Sequence, residues 1–437
     1  MVMRKFLSHR WLPALLVWIA TATANAQSFQ VQCPASTNLH GVAHPNAPGK
    51  IKCAEISGGD GFVTMADGKP IYIFGFGPLT QTLVSDVVVD TSKTDYTKVL
   101  VTDPGQIVAS GTLNANAPAP TIAIDEDDEL FLTLSHVGMV MRPDLFDQHT
   151  VHFHGYPNAA PIFDGLPDAS IAIQIGGSFT YYYNAPAAGT YFYHCHVQAP
   201  EHLQMGMIGQ LFVRPRQNRT GAGGFGVAKL VGGPASSPLG YAYDDGDGST
   251  RYDYEYPIQI TGFDPDFHYA DTSFNPVSFA DMHDKYFLLN GRGYPDTINP
   301  ATIYTVGADG PGPSGAYPNG AAGRPSQPVS SAITVPKNKR VLLRISNVST
   351  AEFSTLGTTG IPMQVVALDA RLLRDEAGNN LYYTTNSLTM GGGQTADVIL
   401  DTTGVDPGTY FLYSTNLDHL VNDQENFGGE MTEIVVQ

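Results

Sequence analysis

Six of the thirteen histidines fall in two short segments, His149-Thr-Val-His152-Phe-His154 and His194-Cys195-His196 followed by His202, and Met207 lies just beyond. A thiolate with two imidazoles and a weak axial thioether is the ligand set of a blue-copper electron-transfer centre, whereas structural zinc usually takes two or more thiolates. Cys195, His149, His202 and Met207 supply that set. Met205 is the rival axial ligand, and the spacing from His202 favours Met207. The remaining four, His152, His154, His194 and His196, form an all-imidazole group that suits copper, zinc or iron by ligand type.

Strand geometry sorts these residues into two sites. Alternate side chains of a strand point to opposite faces. With Thr190 to Val197 as a strand, His194 and His196 share one face and Cys195 takes the other. With His149 to His154 extended, His152 and His154 share a face and His149 takes the opposite one. Two centres on opposite sides of one strand pair follow, and the backbone between Cys195 and its flanking histidines wires them together. Asp164, in Phe163-Asp164-Gly165, is the candidate for guiding protons or water near the imidazoles, beside its alternative reading as a turn residue. His40, His44, His136, His268, His283 and His419 lack paired spacing and read as surface or packed histidines.

The elements that must hold these residues are short strands. Apolar or alternating runs bounded by Gly, Pro, Asp and Asn recur along the chain, among them 130–134, 178–183, 190–197, 341–345 and 397–400. An all-β sandwich or barrel is expected. Gly189-Thr-Tyr-Phe192 returns as Gly408-Thr-Tyr-Phe411, so the chain reads as two copies of one β-domain. The second copy lacks the histidines. Matching Gly155 with Gly357 sets Ala351, Ser354 and Leu356 where the first copy has His149, His152 and His154, and Tyr413 and Thr415 replace His194 and His196. The expected layout is a signal peptide at 1–26, a metal-binding domain with an N-terminal extension at 27–215, a Gly/Ser/Asp/Pro-rich linker at 216–252 and a second domain at 253–437. Asp244-Asp-Gly-Asp247 in that linker reads as a turn.

The signal reading rests on Arg4, Lys5 and Arg10, the apolar run Trp11 to Ala20 and the triplet Ala24-Asn-Ala26. No later apolar stretch approaches the ~18 residues of a membrane span. Losing the three basic residues takes the formal charge from −18 to −21, which disfavours nucleic acid and anionic membranes as partners. Cys33 and Cys53 are close enough in sequence to pair in an oxidising compartment, which leaves Cys195 as the odd thiol.

At these residues the sequence resembles the multicopper oxidases, from about residue 110 onward. His149 to Gly155 matches the family's His-x-x-His-x-His-Gly, and His194 to Met207 its His-Cys-His-x-x-x-His with a following Met. Pro118 to Ile122, Phe163 to Pro167, Asn290 to Asp296 and Val341 to Asn347 look like further family segments. The resemblance implies two cupredoxin-like Greek-key β-sandwich domains. It implies type 1 copper on His149, Cys195, His202 and Met207, type 2 copper at His152, and a type 3 pair at His154, His194 and His196. It also implies a periplasmic or secreted oxidase that takes electrons from a small reductant and passes them to dioxygen, giving water. Two features depart from the pattern. The loop from His196 to His202 is two residues longer than usual, and the family's cluster takes eight histidines where this chain offers four. In two-domain relatives the second domain of a neighbouring subunit supplies the rest, and here that domain lacks them, so either two first domains meet across an oligomer interface, or another protein contributes, or the cluster is smaller than trinuclear; a homo-oligomer, a trimer by preference, is expected. The competing readings are a blue-copper electron carrier with an incomplete second cluster, and an enzyme resembling copper nitrite reductase. The latter would have Asp at the position of His152 and no histidine at that of His196.

Overall fold

Leu130, Leu132 and Leu134 alternate along one strand, and the period of two sends all three into one core. In the computed structural model that strand spans Glu129–Gly138. The structure describes residues 29–41, 44, 47–79, 88–90, 100–220, 240–273, 275–276, 278–305 and 323–437. The expected signal segment and residues 221–239 of the expected linker lie outside the described residues.

The first domain is a two-sheet sandwich. Its strands are β1 (Ile51–Thr64), β2 (Pro70–Pro78), β3 (Ala119–Asp125), β4 (Glu129–Gly138), β5 (His152–His154), β6 (Ser178–Asn184), β7 (Gly189–His194) and β8 (Ile208–Arg214). One sheet runs β2-β1-β4-β6 and the other β3-β8-β7-β5. β1 lies parallel to β4 and β3 parallel to β8, so the chain crosses between sheets instead of meandering in one. Leu132, Phe153, Tyr181 and Leu211 fill the space between.

The second domain repeats the plan with β9 (Tyr254–Phe263), β10 (Ile333–Val335), β11 (Arg340–Asn347), β12 (Ser354–Thr358), β13 (Met363–Leu368), β14 (Ser387–Met390), β15 (Gln394–Asp401), β16 (Gly408–Ser414) and β17 (Met431–Val436). Within its sheets the orders are β13-β15-β11-β9 and β10-β17-β16-β12-β14. The parallel pairs recur as β9 with β11 and β10 with β17. The repeat seen in Gly-Thr-Tyr-Phe therefore extends to these strands and their parallel pairs.

The two domains share a desolvated interface. Arg344 on β11 is wholly buried and donates to Glu255 at 2.5 Å and to Thr190 of the first domain at 3.1 Å. Arg214, at the end of β8, donates to the other oxygen of Glu255 at 3.1 Å. Asp397 accepts from Thr190 and Tyr243, each at 2.5 Å. Apolar contacts run alongside, including Val63, Ile73, Phe263 and Leu288.

Cys33 and Cys53 form the expected disulfide. Asp245 accepts from the Thr250 N–H and hydroxyl, both at 2.6 Å, and closes a turn in the acidic segment. Among the described residues no helix is long and apolar enough to cross a membrane. One expected strand is shorter than predicted. The run 190–197 ends as a strand at His194, and after the four linking residues 195–198 Pro200, in its first turn, opens the short helix α1 (Ala199–Gln204).

Candidate metal centres

Strand parity holds across the end of β7. His152 pairs with His194 and His154 with Phe192 between β5 and β7, so the imidazoles at 152, 154 and 194 gather on one face. Cys195 faces the other way, into the first-domain core. His149 joins it through a bridge to Ile173, and α1 brings His202 back over the sulfur.

At this first centre the donor atoms of His149, Cys195 and His202 lie within 4.8 Å of one another, and all three residues are buried. His202 Nδ1 stands 3.2 Å from the sulfur and His149 Nδ1 4.0 Å. The Thr150 N–H points at the sulfur from 3.4 Å. Burial pushes the thiol up to about 11, so either a proton or a bound cation must hold it. Burial also drives His202 down to about 3 and His149 well below the usual range, which keeps both imidazoles neutral with lone pairs free. Soft sulfur, two neutral imidazoles and a dry setting fit a copper ion.

Met205 and Met207 are both fully buried beside Cys195. Of the two, Met207 is tied by backbone to the candidate donors: its carbonyl accepts from the Cys195 N–H at 3.2 Å, and its N–H donates to the His202 carbonyl at 2.8 Å.

One residue that spacing did not single out belongs here. The His136 ring stacks on His149 with centroids 4.1 Å apart. Its Nδ1 accepts from the Gly138 N–H at 3.1 Å, so Nε2 carries the proton and donates to the Asp147 carbonyl at 2.8 Å. His136 thus acts as a fixed backing plate for the His149 ring. No sequence signal marks it, since it comes from a different strand.

The second centre opens on a cleft of about 580 Å³. The His152, His154 and His194 donor atoms lie within 4.8 Å of one another. His196 lines the same cleft, its ring 5.1 Å from that of His152. His152 Nδ1–H donates to the Asp164 carbonyl at 2.6 Å, and His194 Nδ1–H donates to the Cys195 carbonyl at 2.7 Å. Both rings therefore turn Nε2 to the cleft. Asp164 acts here through its backbone, its carboxylate being 3.6 Å from the same nitrogen. Gly165 sets that carbonyl: its φ is +80°, and a Cβ there would stand 2.1 Å from the Val151 carbonyl oxygen. The facing wall belongs to the second domain and includes Ser349, Thr350, Glu352 and Gly391 to Gly393.

Sheet register corrects the expected match between domains. Gly357 faces Tyr413 as His152 faces His194, and Ser354 pairs with Met390 as His149 bridges Ile173. Gly360, with φ +71°, then corresponds to Gly155, with φ +70°. Aligning Gly155 with Gly357 was three residues out. The counterparts of His149, His152 and His154 are Ser354, Gly357 and Thr359. The thiolate position falls on Ser414, whose N–H donates to the Glu430 carbonyl as Cys195 does to Met207. Glu430 N–H donates to the His419 carbonyl as Met207 does to His202. His419, expected to be a surface or packed histidine, is buried and occupies the counterpart of the His202 position.

The fold and these donor sets define a copper protein of cupredoxin architecture. Multicopper oxidase family models match residues 96–218 and 279–433, together more than half of the chain. The chain belongs to the multicopper oxidase family. It is 34% identical over 108 residues to the multicopper oxidase MCE of Talaromyces pinophilus, covering 24% of this chain and 16% of that protein. It is 35% identical over 109 residues to laccase abr2 of Aspergillus fumigatus, covering 24% of this chain and 17% of the laccase. The matched region thus spans about one sixth of these relatives' length. In fold the chain is similar to a blue copper oxidase of Nitrosomonas europaea, with TM-score 0.57 at 20% identity over 88% of this chain and 85% of that one. A copper nitrite reductase of the same organism gives TM-score 0.52 at 14% identity, over 89% and 94%.

Proposed function

We propose that this protein is a copper-dependent oxidase, exported to an oxidising compartment, that takes electrons singly from a small reductant at the Cys195 centre and delivers them to dioxygen in the imidazole cleft. The observation that carries this reading is the back-to-back placement of the two donor sets. Cys195 belongs to one, His194 to the other, and the His194 imidazole donates to the Cys195 carbonyl at 2.7 Å. Copper, when bound, supplies one-electron redox chemistry at the sulfur site and a place for a small acceptor at the imidazoles.

The protein's own groups do the rest. His149, Cys195, His202 and Met207 would hold the first ion. Burial of all four keeps water from the sulfur. His136 fixes the plane of His149, and the Thr150 amide steadies the sulfur. On the cleft side, the Asp164 and Cys195 carbonyls fix the tautomers of His152 and His194. The Cys33–Cys53 disulfide supports export.

The full eight-imidazole cluster of the family does not fit this chain, because the described wall opposite the histidines carries no imidazole. The cleft reading is therefore limited to the residues present.

Copper-loaded protein tests the proposal. The wild type is expected to show an intense thiolate-to-copper band and to consume oxygen with a phenol or a reduced metal ion. Cys195→Ser should lose both. A colourless loaded wild type would overturn the reading, and a blue protein that never consumes oxygen would reduce it to an electron carrier.

A further inference from the structure

We infer that the imidazole cleft is a single-ion site held by His152, His154 and His194, and not one half of a larger cluster completed from outside the chain. The inference rests on the proposed copper reading and narrows it.

Three observations carry it. First, the donor atoms of these three residues converge within 4.8 Å, and His196 is outside that set although its ring stacks 5.5 Å from His194. Imidazole nitrogens bind such ions at about 2.0–2.1 Å, so two ligands of one ion stand at most roughly 4 Å apart. A small inward movement of three rings satisfies one ion. Second, the Nδ1 atoms of His152 and His194 are occupied by the Asp164 and Cys195 carbonyls, which leaves each ring one nitrogen and hence one bond to give. Third, the chain's own second domain occupies the opposite wall. A Cβ built on Gly393 would lie 3.4 Å from His154 Nε2, so the second-domain backbone already reaches this imidazole. The interface behind that wall is anchored by Arg344, Glu255, Asp397 and Thr190. The face opposite the histidines is thus supplied by this chain itself and carries no imidazole among the residues lining it.

Three protein ligands with the remaining position open to a cleft describe a site that binds an exchangeable small molecule. Across from the histidines, Glu352 is the acidic residue of the second-domain wall.

Copper counting by mass spectrometry, beside integrated paramagnetic resonance, tests this without reference to turnover. Each cupric ion carries one unpaired electron, and a coupled pair is silent. The expected result for fully loaded wild type is two copper ions per chain and two spins per chain. His152→Ala should lose one ion and keep the blue band, and His154→Gln, which retains side-chain bulk, guards against a folding defect in the first variant. His196→Ala should still hold both ions. Four ions per chain, copper in excess of spins, a count that rises as the protein oligomerises, or one ion only would each overturn the inference. The blue band reports separately on the copper reading itself, so the two failures are distinguishable.

Discussion

Replacing Glu255 by Gln should cost far more stability than a surface charge, and the structure sets the size. Four charged groups meet at the domain interface: Arg214, Arg344, Glu255 and Asp397, each at most 5% exposed. Burial alone would raise the Glu255 carboxyl, yet Arg344 and Arg214 outweigh it and hold the group below its usual range. Two unit charges roughly 3 Å apart attract by about 5 kcal/mol at an effective dielectric constant near 20, and desolvation offsets much of that. Glu255→Gln leaves two buried guanidiniums facing one carboxylate, a situation that typically costs about 3–5 kcal/mol. Arg214→Met in the same background removes the excess charge, so the double variant should be at least about 2 kcal/mol more stable than the sum of the singles predicts. Urea unfolding of the metal-free protein, followed by circular dichroism, gives all four corners of the cycle. A loss below about 1 kcal/mol for Glu255→Gln, or strict additivity, would refute the claim that this quartet acts as one desolvated unit.

Three further outcomes are expected. Gly165→Ala forces a side chain into a left-handed position and against the Val151 carbonyl; beyond the ~1–2 kcal/mol of the backbone term, it should displace the Asp164 carbonyl, so the cleft copper is lost while the blue band survives. Asp284 accepts from the Gln204 amide at 2.8 Å between the domains, and burial raises it to about 7. A carboxyl raised in the folded state contributes stability that is complete below its unfolded range and lost as pH rises through 7. Asp284→Asn should therefore flatten the decline between about pH 4 and 7, by up to ~4 kcal/mol, in urea titrations across that range. Cys33→Ala with Cys53→Ala opens a loop whose ends are 20 residues apart and should cost about 3 kcal/mol, read as a lower urea midpoint that reductant no longer changes.

Much of the site was legible because strand parity is local. The spacing of His149, His152 and His154, and of His194, Cys195 and His196, sorts the donors by face without any knowledge of the sheets, and the faces are those observed. Features that depend on tertiary packing were not legible. His136 backs His149 from another strand, and nothing in its neighbourhood of sequence announces that. The added length before His202 reads only as a longer loop, whereas Pro200 turns it into a helical turn that carries His202 onto the sulfur. Matching the domains by glycine identity chose Gly357, although the equivalent backbone position, with positive φ, is Gly360. The facing cleft wall came from the fold, since Gly393 is far from His154 in the chain and comes close to it only through domain docking.

The second domain shows what the scaffold alone contributes. It keeps the strand, the turn and the two backbone hydrogen bonds that place four side chains around one point, and puts Ser354, Ser414, His419 and Glu430 there. Those groups satisfy one another. The Ser354 hydroxyl donates to one Glu430 oxygen, while the other lies 3.3 Å from His419 Nδ1, which is also 3.3 Å from the Ser414 hydroxyl. In the first domain the matching groups are two imidazoles whose Nδ1 atoms lie 3.2 and 4.0 Å from one sulfur. The backbone is common to both, so the difference lies in the side chains: in the second domain hydroxyls, an imidazole and a carboxylate satisfy one another, whereas in the first a single thiol proton faces two imidazoles and the Nε2 atoms of His149 and His202 are buried without a hydrogen-bond partner. Buried polar groups without mutual satisfaction are costly in the absence of an ion. By that reasoning the first-domain set is built for a metal, and the second-domain set holds the same fold together without one.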